Sequence, residues 1–301
     1  MTTHLPFFDE IKRCLRKVGP NLWELTEPHL LYLDDEQAVG YLKLMQDQSY
    51  SKSFHNETVQ LIENHLNDLF PSGERSISLI DLGPGYPDKA LPMAKFLRNK
   101  NTEIYYYPVD VSLKYLDLAK EEMAPFCKGV FPINALFESA YEQMPKDAYE
   151  RPVFVMIGLT FMNFPGSSIL QLLKQLARRQ GGGWAIFATE LITPQNQIDG
   201  ILNAYRGETM GEFTFGPLRH LGFNYDRSTF EPIYENHRVE HRFTIEEEMP
   251  GVPILKGDMV VTAISYRYSL DEITNILHKN FTNGTIWCSP SNKTALLLGE
   301  V

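Results

Sequence analysis

At 301 residues, with 43% hydrophobic and 22% charged side chains, the chain has ample material for one large domain or a domain with an elaboration. Its formal charge of −10, with no Lys/Arg-rich block, argues against a phosphate-backbone partner, so nucleic-acid binding is not expected. Cys14, Cys127 and Cys288 lie far apart and form no CxxC pair, which disfavours zinc and a disulfide framework and suits reduced thiols in a cytoplasmic protein.

The opening MTTHLPFFDEIKRC lacks a basic segment followed by an apolar stretch, so a secretory leader is not expected. Residues 58–70 (TVQLIENHLNDLF) space their apolar side chains for a helix, stopped by Pro71 and Gly73. A strand is predicted over 76–81, a glycine turn after it and a helix near 88–99. TEIYYYPVD (102–110) reads as a strand, 113–124 as a helix, and 129–134 and 152–158 as further strands. The run PVFVMIGLTFM (152–162) falls short of the about 18 apolar residues of a membrane span and reads as a buried strand, so no membrane association is expected. A helix near 166–180 ends at Gly181–Gly183, before the strand WAIFATEL (184–191).

Strands alternating with helices imply βαβ units and a mostly parallel sheet over 59–192. Beyond 192 the rhythm changes. Residues 195–222 look helical, and 238–245 and 258–268 look like long strands with alternating faces. IWCSPSNKTALLLGE at the end reads as two strands around a turn at Ser289–Lys293, an antiparallel hairpin suited to close a parallel sheet.

The stretch DLGPGYPDK (81–89) sits where the first βα turn of a doubly wound fold meets its ligand. Gly83 and Gly85 let the backbone approach, and Asp110, at the end of the next strand, can accept ribose hydroxyl protons. Together they point to an adenosine-type ligand. NAD would want a third glycine at position 88, where Asp88 stands and would repel a pyrophosphate. S-adenosylmethionine (SAM) carries no phosphate and tolerates this turn better. Its D/E-x-G-x-G-x-G pattern is met by Asp81, Gly83 and Gly85 and missed at Pro87. The competing structural explanation is a tight turn without ligand, with Asp110 capping the following helix. His55, His220, His237 and His241 form no helical pairs with carboxylates and read as surface or packing residues, so no metal is expected.

DLGPGYPDK followed by YYYPVDVSLKYLDLA resembles the histidine-specific SAM-dependent methyltransferases, the family of the ergothioneine-pathway α-N-methyltransferase, whose fungal relatives methylate a prenylated tryptophan (dimethylallyltryptophan). The likeness continues through GLTFMNF (158–164), NAYRGETMGEF (203–213), LGFNYDRSTFEPIY (221–234), RVEHRF (238–243) and TAISYRY (262–268). It implies an α/β fold: a Rossmann-like class I methyltransferase core over 59–192 with 269–301, and a smaller α+β substrate domain over 1–58 with 193–268. It also implies SAM as cofactor, held by Gly83, Gly85, Lys89 on the methionine carboxylate and Asp110 on the ribose. Near the adenine the family has Asp-Phe; here Asn134-Ala135 stands, and the Asn134 amide oxygen can still accept from the adenine amino group.

For the acceptor, the resemblance implies that Asn163 and Tyr205 grip the carboxylate of an amino-acid substrate. Asn163 could instead cap the next helix, and Tyr205 could be core packing. Tyr50 corresponds to a tyrosine of the substrate site, although the T-R-x-E that follows it in the family is missing. The family reads T-E-I-S where this chain has TAIS: Ser265 is kept, but Ala263 replaces the glutamate that recognises the imidazole. A buried polar site rejects analogues it cannot pair with by up to about 10⁴–10⁵-fold, and losing the polar group removes that preference. The expected activity is therefore α-N-methylation of a free amino acid or related small amine other than histidine. The alternative is a SAM-binding regulatory or partner protein without transferase activity.

Overall fold

The computed structural model describes residues 7–46, 54–71, 73–144, 151–158, 160–193 and 198–301. Contacts divide the chain into two compact units, Met1–Ser51 with Gln197–Tyr266, and Lys52–Asn196 with Arg267–Val301. The helix Phe54–Asn64 thus falls in the second unit, several residues ahead of the boundary predicted at 58/59.

The first unit opens with the short helix Phe8–Cys14, followed by β1 (Arg16–Gly19), β2 (Leu22–Glu24) and a longer helix, α1 (Asp35–Gln46). No helix was expected before residue 58. Asp34 marks the start of α1: the side chain accepts from the Gln37 amide at 2.8 Å, the pattern of an N-cap.

The second unit begins with α2 (Phe54–Asn64), which faces its sheet through Leu61 and Ile62. The single helix expected over 58–70 is in fact two, α2 and the short Leu66–Leu69, with His65 between them out of helical geometry. β3 (Ser76–Leu82), β4 (Glu103–Asp110), β7 (Pro152–Met156) and β8 (Trp184–Glu190) pair in parallel. Their side chains are buried on both faces, as continuous apolar runs such as PVFVM require. The strand expected over 129–134 is two short pieces, β5 (Gly129–Val130) and β6 (Ile133–Asn134), both beside β4. Helices α3 (Ala90–Asn99), α4 (Leu113–Met123) and α5 (Gly166–Arg179) make the crossovers. In α5, Ile169, Leu170, Leu173, Leu176 and Ala177 repeat at three- and four-residue spacing on one buried face.

Back in the first unit, the helix expected over 195–222 is three: α6 (Ile198–Tyr205), α7 (Glu208–Thr214) and α8 (Gly216–His220). Gly207 takes an extended conformation between the first two, and Pro217 sits in the first turn of the third. Strands β9 (Ser228–Glu235), β10 (Arg238–Ile245) and β11 (Met259–Tyr266) complete a five-stranded sheet in the order β1-β2-β11-β10-β9. β11 ends two residues short of the expected 268. One face packs Trp23, Phe243 and Phe230 into the unit's core. On β10, Glu240 is nearly fully buried and accepts from Arg238 at 2.8 Å and Arg242 at 2.7 Å.

The last segment returns to the second unit. α9 (Leu270–Asn280) starts at a capping box of Ser269 and Glu272, and the hairpin β12 (Asn283–Cys288) and β13 (Thr294–Glu300) closes the sheet antiparallel to β8. The sheet order is β12-β13-β8-β7-β3-β4-β5, with β6 also on β4. This is the mostly parallel Rossmann-like sheet with an antiparallel C-terminal hairpin that was expected. Strand order reverses between β3 and β7, and ligands of such sheets bind beyond the carboxyl ends there. Among the described residues no helix is long and apolar enough to cross a membrane.

Candidate active site

The turn after β3 and the turn after β7 meet at this reversal point. Gly83 has φ 71° and Gly85 φ 53°, conformations in which a Cβ is unfavourable. At Gly83 it would also lie 2.9 Å from Cγ2 of Thr160. Thr160 follows β7 and donates to the Gly83 carbonyl at 3.4 Å, while the Gly83 amide is bonded to Val109 of β4 at 2.9 Å. The glycine therefore keeps the ends of three strands close together.

Two acids end the first two strands. Asp81 is buried and accepts from the Tyr106 hydroxyl at 2.7 Å; burial pushes its carboxyl up to about 6, against the pull of that bond. Asp110 is pushed to about 7, first by burial and then by the neighbouring charge of Asp81, while backbone amides of Ser112, Val111 and Gly85 pull it back. Its bond from the Ser112 amide, 2.9 Å, spans two residues and precedes α4, whose N-cap is Ser112 itself. Asp110 thus does not cap the helix. Asn134, paired opposite Asp110, donates from Nδ2 to the carbonyls of Asp110 (3.1 Å) and Val111 (2.8 Å). Its Oδ1 is left as an acceptor, and the exposed Leu113 and Leu136 follow Asp110 and Asn134 by three and two residues in sequence.

Lys89 ends the 3₁₀ turn Pro87–Lys89 and reaches across the reversal point. A Cβ on Gly158, just past β7, would lie 3.5 Å from its Cε. Its ammonium is 2.8 Å from Asp88. Asn163 closes the turn Phe161–Asn163 after β7. It does not cap α5: the N-cap there is Pro165, with no side-chain bond, and the Gly166 amide is taken by the Tyr268 hydroxyl at 2.6 Å. Among the described residues the Asn163 side chain makes no hydrogen bond. The second unit alone thus gathers Gly83, Gly85, Lys89, Asp110, Asn134 and Asn163 along one edge of its sheet.

Tyr205, Ala263 and Ser265 belong to the first unit. Tyr205 is buried, with its ring edge-on to His241 at 5.1 Å, and Phe230 stacks on that imidazole at 5.9 Å. Ala263 and Ser265 are buried on β11, directly opposite His241 and Val239 of β10. Side chains directly opposite share a face, so an imidazole of the protein itself stands beside Ala263. His241 had been read only as a packing or surface residue. Tyr50 lies outside the described residues. Among the described residues no group of three or more His, Cys, Asp or Glu side chains is arranged to hold a metal ion.

The turn suits a ligand that joins an adenosine to an amino acid. Its backbone is accessible at Gly83, Asp110 stands ready for hydroxyl donors, and Asn134 offers a bare carbonyl to an amino group. Asp88 makes the same turn a poor seat for a diphosphate. These residues fit SAM.

A family model described as the histidine-specific, SAM-dependent methyltransferases matches residues 9–301. A comparison with curated proteins finds no match. Among solved structures the chain is similar to the pyocyanin biosynthetic protein PhzM at 10% identity and TM-score 0.43, over 80% of this chain and 54% of that one. It is similar to the CurJ carbon methyltransferase at 13% identity and TM-score 0.47, over 92% of this chain and 60% of that one. It is also similar to CalS10, an amino pentose methyltransferase from Micromonospora echinaspora solved with SAM, at 10% identity and TM-score 0.43, over 86% and 96% of the two chains. The chain thus spans little more than half the length of the first two.

Proposed function

The chain belongs to the histidine-specific, SAM-dependent methyltransferase family, and we propose that it methylates the α-amine of a free amino acid or related small amine other than histidine. The observation that carries this reading is Asn163: an uncapped, unbonded amide at the strand-order reversal, on the edge where Lys89 and Asp110 also lie. A cytoplasmic protein acting on a small molecule is the setting that fits, with neither nucleic acid nor membrane as partner.

SAM supplies a methyl group already activated by its sulfonium. What remains for the protein is alignment. Asp110 accepts from the ribose hydroxyls, Lys89 takes the methionine carboxylate, and Asn134 accepts from the adenine amino group. Asn163 takes the acceptor's carboxylate, which fixes its α-amine at a set distance and favours that amine over a side-chain nucleophile. The neutral amine must come within about 3–3.5 Å of the methyl carbon, and holding it there replaces a bimolecular encounter by a unimolecular step. The amine's proton leaves to Tyr50 or to water. Ala263 offers no charge to an imidazole, so histidine loses its specific partner.

Thermal unfolding with S-adenosylhomocysteine (SAH) tests the cofactor part. At 100 times its Kd, SAH should add about 2.7 kcal/mol of stability, and NADH should add none. Stabilisation by NADH and not by SAH would overturn the reading.

A further inference from the structure

Beside Lys89 on the glycine turn, Asp88 and His55 have no part in binding SAM in the account so far. Asp88 places one carboxylate oxygen 2.8 Å from the Lys89 ammonium and the other 3.2 Å from Nε2 of His55. His55 comes from the first turn of α2, so two separate segments converge on this carboxylate. Burial, followed by the Lys89 charge, lowers the His55 pKa below the usual imidazole range, against the opposing pull of Asp88. A neutral ring donates from Nε2 to Asp88 and keeps Nδ1 as a bare acceptor. That Nδ1 is buried and, among the described residues, has no hydrogen-bond partner. The ring is therefore set to hold Asp88 in place while leaving its negative charge intact.

The ion pair itself is unsaturated. Lys89 has three N–H donors and gives one to Asp88; each Asp88 oxygen has two lone pairs and uses one. The Asp88 and Lys89 side chains keep 26% and 13% of their surface. Asp88 does not cap the 3₁₀ turn, whose N-cap makes no side-chain bond. A positive and a negative group lie side by side, each with bonding capacity to spare, on the turn that Gly83 and Gly85 leave open. The natural complement is a zwitterion, with a carboxylate toward Lys89 and an ammonium toward Asp88.

We propose that Asp88 is a further cofactor-binding residue, which takes the α-ammonium of the amino-acid end of SAM, and that His55 is its positioning residue. This rests on the SAM-dependent reading above. Lys89 and Asp88 together then select ligands that carry an intact amino-acid end over the bare thionucleoside.

Calorimetric titration separates the possibilities. Three ligands are compared: SAH, its desamino analogue lacking only the ammonium, and 5′-methylthioadenosine, which lacks the whole amino-acid end. Losing a hydrogen bond between charged groups costs about ten- to hundredfold in affinity. The wild type should bind desamino-SAH weaker than SAH by that factor. Asp88→Asn should weaken SAH by a similar factor, bind SAH and desamino-SAH alike, and leave 5′-methylthioadenosine within about twofold of wild type. His55→Ala should weaken SAH by about fivefold, the worth of one ordinary hydrogen bond, and His55→Gln, whose amide can still donate to Asp88, should restore most of it. Unchanged SAH affinity in Asp88→Asn, or equal losses for SAH and 5′-methylthioadenosine, would overturn the assignment. The wild-type comparison of SAH with its desamino analogue stands even if the variant does not fold: equal affinities there would also overturn it. No binding of SAH by the wild type would instead remove the SAM reading on which it rests.

Discussion

Replacing Asp110 by asparagine should lower SAH affinity by about a hundredfold or more while raising the stability of the ligand-free protein above neutral pH. Both effects have one cause. Asp110 is a carboxylate held in a buried place, with its carboxyl pushed up to about 7. The folded pKa lies above the unfolded one, near 3.9, so the native state binds the proton more tightly. The sign follows: the stability associated with this group is fully present below the unfolded pKa and is lost as pH rises through about 7. Asp81, pushed to about 6, acts in the same direction one unit lower. An asparagine carries no charge to bury, so the ligand-free variant escapes the loss. It also loses two charge-assisted acceptor bonds to ribose, each worth about 1.5–3 kcal/mol. Because ribose donors favour the ionised acid, wild-type SAH affinity should fall as pH drops below 7, and the variant's should depend on pH less. Calorimetry across pH 5.5 to 8.5 and thermal unfolding of both proteins check this. A variant that binds SAH as well as the wild type would remove Asp110 from the cofactor site.

Asn163→Ala should behave in the opposite way: turnover down by about a hundredfold or more, SAH affinity within about twofold, and melting temperature unchanged. The structural grounds are specific. Asn163 does not cap α5, so its side chain contributes no helix-end bond whose loss would lower stability. A hydrogen bond to a charged carboxylate contributes about 1.5–3 kcal/mol, and a misplaced amine costs further rate through lost alignment. Equal losses in turnover and SAH binding would place Asn163 with the cofactor instead. A drop in stability alone would make it a structural residue.

Legibility in the sequence followed burial. Strands β3, β4, β7 and β8 were readable because each is a run buried on both faces, and the C-terminal hairpin because the turn signal SPSNK precedes another such run, β13. The fold class and the positions of Gly83, Asp110 and Asn163 at strand ends follow from those strands. Two features with plain local signals were passed over. Ser-Leu-Asp-Glu at 269–272 is a capping-box pattern, and it does start α9. Gly207 and the Gly216-Pro217 pair punctuate a segment read as one helix, and the chain breaks at both. Other features carry no local signal. His55 reaches Asp88 only because α2 packs where it does, and a helix pattern states a period, not a destination. His241 faces Ala263 because the register of β10 on β11 shifts by one residue between His241 and Arg242, and a bulge cannot be read from alternation alone.

The most direct test of the central claim is mass spectrometry of products after incubating the protein with SAM and a panel of free amino acids and biogenic amines, histidine included. The account predicts methyl mass gained on the α-nitrogen of an amino acid or related amine other than histidine, with fragmentation locating the methyl there. Methylation of histidine in preference to every other member of the panel would contradict it, and would mean that another group has taken over the role of the missing glutamate at position 263.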